Sequence, residues 1–556
     1  MSFEALNLAG SALRAQRVAM DVASRNLTSA SEAGYTRQTA VYNENAASGF
    51  NRYPNLVDGV GGRITAIQRV RSGLLDTVYR ARVGEEKGIT APQSHLENLE
   101  SRLASSPSLA SRLQDLGTGL TQLQNNPSDL GLRTTFLSQL QGVTDQIRSV
   151  DTEMANNQTE ARQDLGNQVE RANQILGQLA DLNPRIVSSV KDSTSLNSML
   201  DQRDQLLDEL SGMLEIQSSL QPSGEMSVYA GGAELVSHST FQKLNLQPDN
   251  SITSDSGRVI KTQDGSLASL QNYVSTELPG YRAQLDGLAK SLITQVNAVH
   301  RLATGLDGVS GRDLLSGTGS TDINLAVTDP RQLAGSVQRL QGLSAGTSSL
   351  VSDQPLSSQA ANLTVPASPS GTLRVNGTDI NWTDGDSIQS LLGKLNSVGV
   401  KASYNQDLRQ VTLERDPGVA GPADITVSDV SGNLSNVLGL AGQPSVAGGP
   451  GDTGGLNALS KLLNSPVFGS TGTRTSMQAV SDLQTAVGGR LASLQKSAES
   501  AGASLSDAET ARRSVSGVSS DEELLNVTRL QQAYAAAAKI ATAADEMLST
   551  IIQMVK

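Results

Sequence analysis

Val527, Tyr534, Ala541, Leu548 and Val555 recur every seven residues, and Leu530, Ala537, Ala544 and Ile551 repeat at the same interval three positions later. This 3-4 spacing draws one apolar seam down a helix, the pattern of a coiled-coil strand. Ser519 and Ser520 each precede a glutamate by three residues (Glu522 and Glu523), a capping-box signature for the helix start. Lys556 adds a cation at the negative end of the helix dipole. Much of the seam is alanine and buries little area against the entropy of ordering the backbone, which calls for partners on several sides, while periodicity alone equally fits an amphipathic helix packed on its own domain.

Residues 3–30 mirror this pattern. Leu6, Leu13, Met20 and Leu27 lie seven apart, with Ala9, Gln16 and Ala23 at the second seam position. Two seam helices rich in small residues can approach closely, pairing with each other and with neighbouring copies. The candidate interface is therefore Leu6, Leu13, Met20 and Leu27 at one end, and Val527, Leu530, Tyr534, Ala541, Leu548, Ile551 and Val555 at the other. Gly34 supplies a helix stop. Thr36 to Tyr42 reads as extended, and Gly59-Val60-Gly61-Gly62 as a turn before a strand at Arg63–Val70. No helix follows that glycine run in the manner a phosphate-binding loop requires.

Between the ends, residues 87–215 are strongly helical. Leu109, Leu113, Leu116, Leu120 and Leu123 alternate spacings of four and three, and Asn126-Pro127-Ser128-Asp129 breaks that helix and caps the next. Phe136, Leu140, Val143, Ile147, Val150 and Met154 continue the alternation, as do Leu165, Val169, Ala172, Leu176 and Leu179, with Pro184 the first interruption. A helix of about 50 residues spans ~75 Å, a rod. Leu196–Leu214 forms another helix, on which Asp201, Arg203, Asp204 and Asp208 read as a solvated charged face.

From Ile216 the period changes. Met226–Tyr229, Glu234–Val236 and Phe241–Leu246 read as short strands, followed by a helix at Tyr281–Leu302 and a glycine-rich loop over 305–319. Asp307 and Asp313 in that loop fail the calcium-loop template. The Ser- and Pro-containing stretch 344–370 reads as a linker. Asn376-Gly377 sits between two strand-like runs, Thr372–Val375 and Asp379–Trp382, and predicts a hairpin. A short helix around Ile388–Leu395 and a second strand pair at Ala402–Tyr404 and Val411–Leu413 complete a small ββαββ unit. Helices resume at Leu456–Leu463 and Met477–Ser514.

The predicted fold class is multidomain α+β, with terminal coiled-coil helices, a long helical rod-like bundle and inserted mainly-β domains. The expected segments are 1–35 and 521–556 for the terminal helices, 36–215 and 455–520 for the two parts of the helical rod, 216–345 for a mainly-β domain with a helix, and 366–445 for the insertion.

Composition narrows the function classes. Forty-three Lys and Arg face 55 Asp and Glu, a net charge of −12, which argues against nucleic acid or an anionic membrane as partner. The absence of cysteine excludes disulfides, thiolate metal sites and a cysteine nucleophile. No apolar run approaches about 18 residues, so no membrane span is predicted. The start, Met1-Ser2-Phe3-Glu4, has neither a basic nor an apolar signal region, so no cleaved secretory signal is expected. The histidines, His95, His238 and His300, are far apart and lack an H-E-x-x-H helix, so neither an enzyme nor a bound metal or cofactor is expected.

Asn26-Leu27-Thr28 followed by Ala33-Gly34-Tyr35-Thr36-Arg37-Gln38 resembles the flagellar axial proteins, as does Leu530-Gln531-Gln532-Ala533-Tyr534 with Ala543-Ala544-Asp545-Glu546-Met547-Leu548. Asp201-Gln202-Arg203-Asp204, Ala326-Val327-Thr328-Asp329-Pro330 and the long helical region resemble the hook-associated protein 1 (FlgK) family in particular. Residues 372–413 are similar to a small insertion motif of flagellins and hook proteins. Arg25 stands where an asparagine is usual, and Ala33 where rod and hook proteins often have proline. The resemblance implies a structural protein exported through the flagellar type III apparatus without a cleaved signal. It would polymerise as a ring or helical assembly on the distal end of the hook and join hook to filament. Implied partners are further copies of itself, the hook protein, the next junction protein and a cytoplasmic export chaperone on the C-terminal helix. The competing readings are another axial component, such as a hook-associated protein 3-like chain or a hook or filament subunit, and a surface binding module carried by the insertion.

Overall fold

The structure, a computed structural model, describes residues 2–32, 34–45, 60–189, 193–344, 346 and 348–555. Helix α1 (Ser2–Thr28) leads into an antiparallel pair, β1 (Gln38–Asn45) and β2 (Val60–Arg69). Helices α2 (Gly73–Thr90), α3 (Gln93–Ala104), α4 (Leu109–Asn125), α5 (Leu130–Ser188) and α6 (Ser193–Met213) follow. Short strands come next: β3 (Ile216–Leu220), β4 (Met226–Ala230), β5 (Ala233–Ser237), β6 (Thr240–Phe241), β7 (Leu244–Leu246) and β8 (Ile252–Ser254). After α7 (Ser266–Asn272) and α8 (Leu278–His300) lie β9 (Ala303–Thr304), β10 (Leu315–Ser316), β11 (Asn324–Leu325) and β12 (Ser336–Leu343). The next segment holds β13 (Ser370–Val375), β14 (Thr378–Thr383), α9 (Ile388–Asn396), β15 (Val400–Asn405), β16 (Gln410–Arg415), β17 (Val427–Ser431), α10 (Leu434–Val437) and β18 (Val446–Ala447). Then come α11 (Gly454–Leu463), α12 (Ser476–Ser516) and α13 (Ser520–Val555). The protein is a multidomain α+β chain.

Two compact units divide these elements. One comprises Met1–His95, Thr159–Thr276 and Leu491–Lys556, the other Leu96–Gln158 and Glu277–Arg490. The segment 216–345, expected as one domain, is split: β3 to β8 belong to the first unit, α8 to β12 to the second. Sequence order hides this, because a helix directly after a run of strands reads as their own cover.

In the first unit, the later part of α5 packs with α6 and α7 over the sheet β3-β4-β5-β6 and the β7-β8 pair. Leu165, Ile175, Leu176, Leu207, Leu210, Val228, Leu235 and Leu267 form its core. Two helical asparagines fasten the strands. Asn173 Nδ2 donates to the Leu244 carbonyl at 2.9 Å while its Oδ1 accepts the Leu244 N–H at 2.7 Å. Asn183 treats Met226 the same way, at 3.0 and 2.9 Å. Helix α5 begins where Asp129 Oδ1 accepts the N–H groups of Gly131 and Leu132, the expected cap. Its 59 residues carry it four residues past Pro184, the expected stopping point.

In the second unit, Leu116, Phe136, Leu140, Leu292, Val296 and Leu459 bring α4, the first part of α5, α8 and α11 onto one apolar interior, with a void of only about 20 Å³. Asn297 repeats the clasp: its Oδ1 accepts from the N–H groups of Leu314 and Leu315, and its Nδ2 donates to the Leu315 carbonyl. A second core joins two sheets, β14-β13-β17 and β15-β16-β12-β18, around Trp382, Leu373, Val411, Leu413 and the buried face of α9. Asn376 (φ 51°) and Gly377 (φ 83°) make the expected hairpin turn between β13 and β14. The stretch 344–370 is not a linker. Leu350, Leu356 and Leu363 are buried in this second core, and β12, which precedes them, pairs with β16. Isolated leucines among serines carry no periodicity, which is why their burial is invisible in sequence.

Candidate assembly interface

Within the first unit α1 packs along α13 and against the β1-β2 pair. The end of α1 lies beside the start of α13, so the helices run antiparallel. Ser519 caps α13, its hydroxyl accepting the Glu522 N–H at 3.4 Å. Among the described side chains, Ala9, Ala15, Ala19, Val22, Ala23 and Asn26 of α1 are buried, as are Glu523, Ala537 and Ala544 of α13. The predicted large residues flank this line. Leu6, Leu13, Met20 and Leu27 are half-buried, as are Val527, Leu530, Ala541 and Leu548. Tyr534 remains 38% exposed. The side chains of Ile551 and Val555 lie outside the described residues. The seam on α1 keeps Ala9 and Ala23 of the expected second line and otherwise runs through Ala15, Ala19, Val22 and Asn26 rather than the leucines. Alanines let the backbones close up, and at that separation larger side chains fit only at the margins. Elsewhere on α13, Leu525 is 73% exposed, Ile540 56% and Met547 60%. These large apolar side chains are exposed among the described residues.

Asn26 anchors the pair. Its Nδ2 donates to Glu523 Oε1 at 3.1 Å and to the Gln38 carbonyl at 2.9 Å. Its Oδ1 accepts from the Gln38 N–H at 3.0 Å and the Tyr35 hydroxyl at 2.9 Å. Burial drives the Tyr35 hydroxyl up to about 12, with Arg25 opposing and Asp201 and Glu523 reinforcing, so it stays a donor. One amide thereby links α1, the loop after it, β1 and α13. Gly34 (φ +80°) holds a conformation that strains other residues, and a Cβ there would displace the Gln205 side chain.

A buried ion-pair network lies beneath this loop. Asp201, Arg203 and Asp204, read as a solvated face, are all buried on α6. Arg69 reaches Asp201 at 2.7 Å and Asp204 at 2.8 Å, and Arg71 reaches Asp76 at 2.6 Å and Asp204 at 3.0 Å. Asp208 takes Arg80 at 2.7 Å and Arg512 at 2.6 Å. Burial alone would raise the Asp204 pKa, but Arg71 and Arg69 outweigh it and hold the carboxyl below its ordinary range. Burial lowers that of Arg203. Local sequence could not show this, because the arginines come from β2, the loop after it, α2 and α12. An open cleft of about 930 Å³ adjoins the network, bounded by Tyr35, Arg71, Gln205, Arg512 and Glu522 among others.

The three histidines stand apart. His95 Nε2 is 2.9 Å from Asp164 and its ring stacks on Tyr273, His238 is exposed near Glu225, and His300 is enclosed by backbone groups. Among the described residues no cluster of three or more His, Cys, Asp or Glu could hold a metal ion, and no helix is long and apolar enough to cross a membrane.

Residues 94–315 match the model of the flagellar hook-associated protein FlgK helical domain, and residues 514–554 that of the flagellar basal body rod FlgEFG protein C-terminal. The chain is 24% identical over 581 residues to flagellar hook-associated protein 1 of Escherichia coli, covering 99% of each. It is 25% identical over 573 residues to that of Salmonella typhimurium, again covering 99% of each. The Bacillus subtilis protein of the same name is 23% identical over 561 residues, covering 99% of this chain and 98% of that one. The solved flagellar hook junction protein FlgK from Burkholderia pseudomallei superposes with a TM-score of 0.59 at 18% identity, covering 79% of this chain and all of that one. A helical middle matched to one of these models and a C-terminal helix matched to the other define a flagellar axial subunit. Over almost its whole length the chain is similar to flagellar hook-associated protein 1, and its middle to the FlgK helical domain.

Proposed function

We infer that this protein is a structural subunit of the bacterial flagellum that polymerises at the distal end of the hook and joins hook to filament. The observation that carries the reading is the antiparallel pair of α1 and α13. Its seam is alanine, and its outer surface leaves Leu525, Ile540 and Met547 in solvent. Such a pair buries little by itself and gains most when helices of adjoining subunits cover it. Partners on this reading are further copies of the chain, the hook protein below and the next junction protein above. The contact residues on this reading are Leu6, Leu13, Met20, Leu27, Val527, Leu530, Tyr534, Ala541, Leu548, Ile551 and Val555. Export proceeds through the flagellar apparatus, with a chaperone shielding the apolar side of α13 in the cytoplasm. The protein acts by assembly rather than by catalysis.

Microscopy of a deletion strain tests the reading. Hooks should form while filaments are shed, and the full chain should restore attachment. A version ending before Asp521, or carrying Leu548→Asp, should fold in its middle but fail to restore it. Normal filaments with either variant would overturn the assignment of the terminal pair.

A further inference from the structure

An alanine seam has little means of choosing its own alignment. Ala12 and Ala19 on α1, and Ala537 and Ala544 on α13, are nearly interchangeable, so sliding one helix by seven residues sets alanine on alanine again. Gln16, the polar residue at the second seam position, leaves its Oε1 buried without a hydrogen-bond partner. Asn26 and Glu523, both buried, form a hydrogen-bonded side-chain pair that links the two seams. Asn26 cannot adapt to a slip, because Gln38 and Tyr35 fix both ends of its amide. Glu523 is held as well, with its other oxygen 3.4 Å from Asn526 Nδ2. It occupies the heptad position one repeat before Leu530. A slip of one repeat would put Leu530 against the Asn26 amide and leave the Glu523 carboxylate without its donor.

We infer that the Asn26–Glu523 pair is the register pin of the terminal helices: it selects which heptad of α13 lies against which heptad of α1. A polar contact of this kind trades seam stability for a single alignment. Glu523 is then a positioning residue. The flank residues are presented to neighbouring subunits at one height only because this pair sets it. That consequence rests on the assembly reading; the pin itself does not.

The absence of native cysteine makes the test direct. Ala12 and Ala537 each lie two heptads from the pin and should face one another, whereas Ala12 and Ala544 are one repeat out of register. In the otherwise native full chain, in dilute solution, disulfide formation between Ala12→Cys and Ala537→Cys should exceed that between Ala12→Cys and Ala544→Cys by about tenfold. Adding Glu523→Leu should collapse this preference to within about twofold, and Glu523→Gln, which can still accept from Asn26, should retain it. A preference untouched by Glu523→Leu, or lost equally with Glu523→Gln, would overturn the pin. Crosslinking is read before any copies associate, so failure of the pin and failure of the assembly reading give separate results.

Discussion

The guanidinium of Arg512 lies over the ring of Tyr79, 3.6 Å from its centroid, while its Nη1 donates to Asp208 at 2.6 Å. Three elements, α12, α2 and α6, thereby meet on one side chain just before the chain turns into α13. Arg512→Ala should destabilise the first unit by about 1–2 kcal/mol, measured by urea unfolding. Lysine should recover little, because an ammonium cannot both stack on the ring and present a planar fork to the carboxylate.

Asp204 neutralises arginines from three directions. Asp204→Asn would remove the carboxylate that Arg69, Arg71 and Arg80 share while leaving each its second partner, Asp201, Asp76 or Asp208, and should cost about 1–3 kcal/mol. The pH dependence has a definite sign. The folded carboxyl titrates below its ordinary value, so the unfolded chain binds protons more readily. Its contribution is complete above the ordinary carboxylate range and is lost as pH falls through the depressed folded value. The asparagine variant should lose this part of the acid sensitivity in unfolding curves collected down the acid range.

His300 gives a second, higher window. Its Nδ1 sits 2.8 Å from the Arg312 carbonyl and its Nε2 accepts the Ala334 N–H at 2.9 Å, an arrangement only the neutral ring satisfies. Burial lowers its pKa from 6.5 to about 4. Stability from this residue is complete above 6.5 and falls between 6.5 and about 4, by about 3 kcal/mol in all. Urea midpoints should decline across that window, and the decline should flatten in His300→Gln even if that variant is weaker throughout.

Asn297 satisfies two backbone donors and one acceptor of the β10 region. Asn297→Ala should unpair all three and cost about 3 kcal/mol or more. Faster amide exchange at Leu314 and Leu315, ahead of the rest of the second unit, is the expected signature.

Gly432 (φ +79°) holds its Cα against the ring of Trp382; a Cβ there would sit 2.8 Å from the ring. Gly432→Ala should displace the ring and destabilise the small two-sheet region by about 1–3 kcal/mol. Trp382 is the single tryptophan of the chain, so its emission should report the change without interference.

Some of this was legible in the sequence. Heptads at both ends announced the terminal helices, and the leucine alternation announced α4 and α5. Asn376-Gly377 announced the β13-β14 turn. Each signal is a local repeat or dipeptide with its own geometric reason. What escaped depends on partners distant along the chain. Asp201 and Asp204 looked solvated because their arginines lie more than a hundred residues earlier. Leu350, Leu356 and Leu363 looked like linker because their neighbours come from β13 to β16. On α1 the leucine line lies at the margin of the seam, because leucine dominates a hydrophobic pattern whereas close packing of two helices selects the smallest side chain. Asn26 stood in a recognisable motif, yet its four hydrogen bonds are set by tertiary structure.

The four helical asparagines, Asn26, Asn173, Asn183 and Asn297, share a geometry with a consequence for how copies meet. Each takes both the N–H and the carbonyl of one strand residue, Gln38, Leu244, Met226 or Leu315, as a neighbouring strand would. A helix side chain thus stands in for the missing strand and closes the sheet margin from within. A strand of another molecule finds no free backbone pair at those positions. Where many copies crowd together, this shuts one route to misassociation through strand pairing.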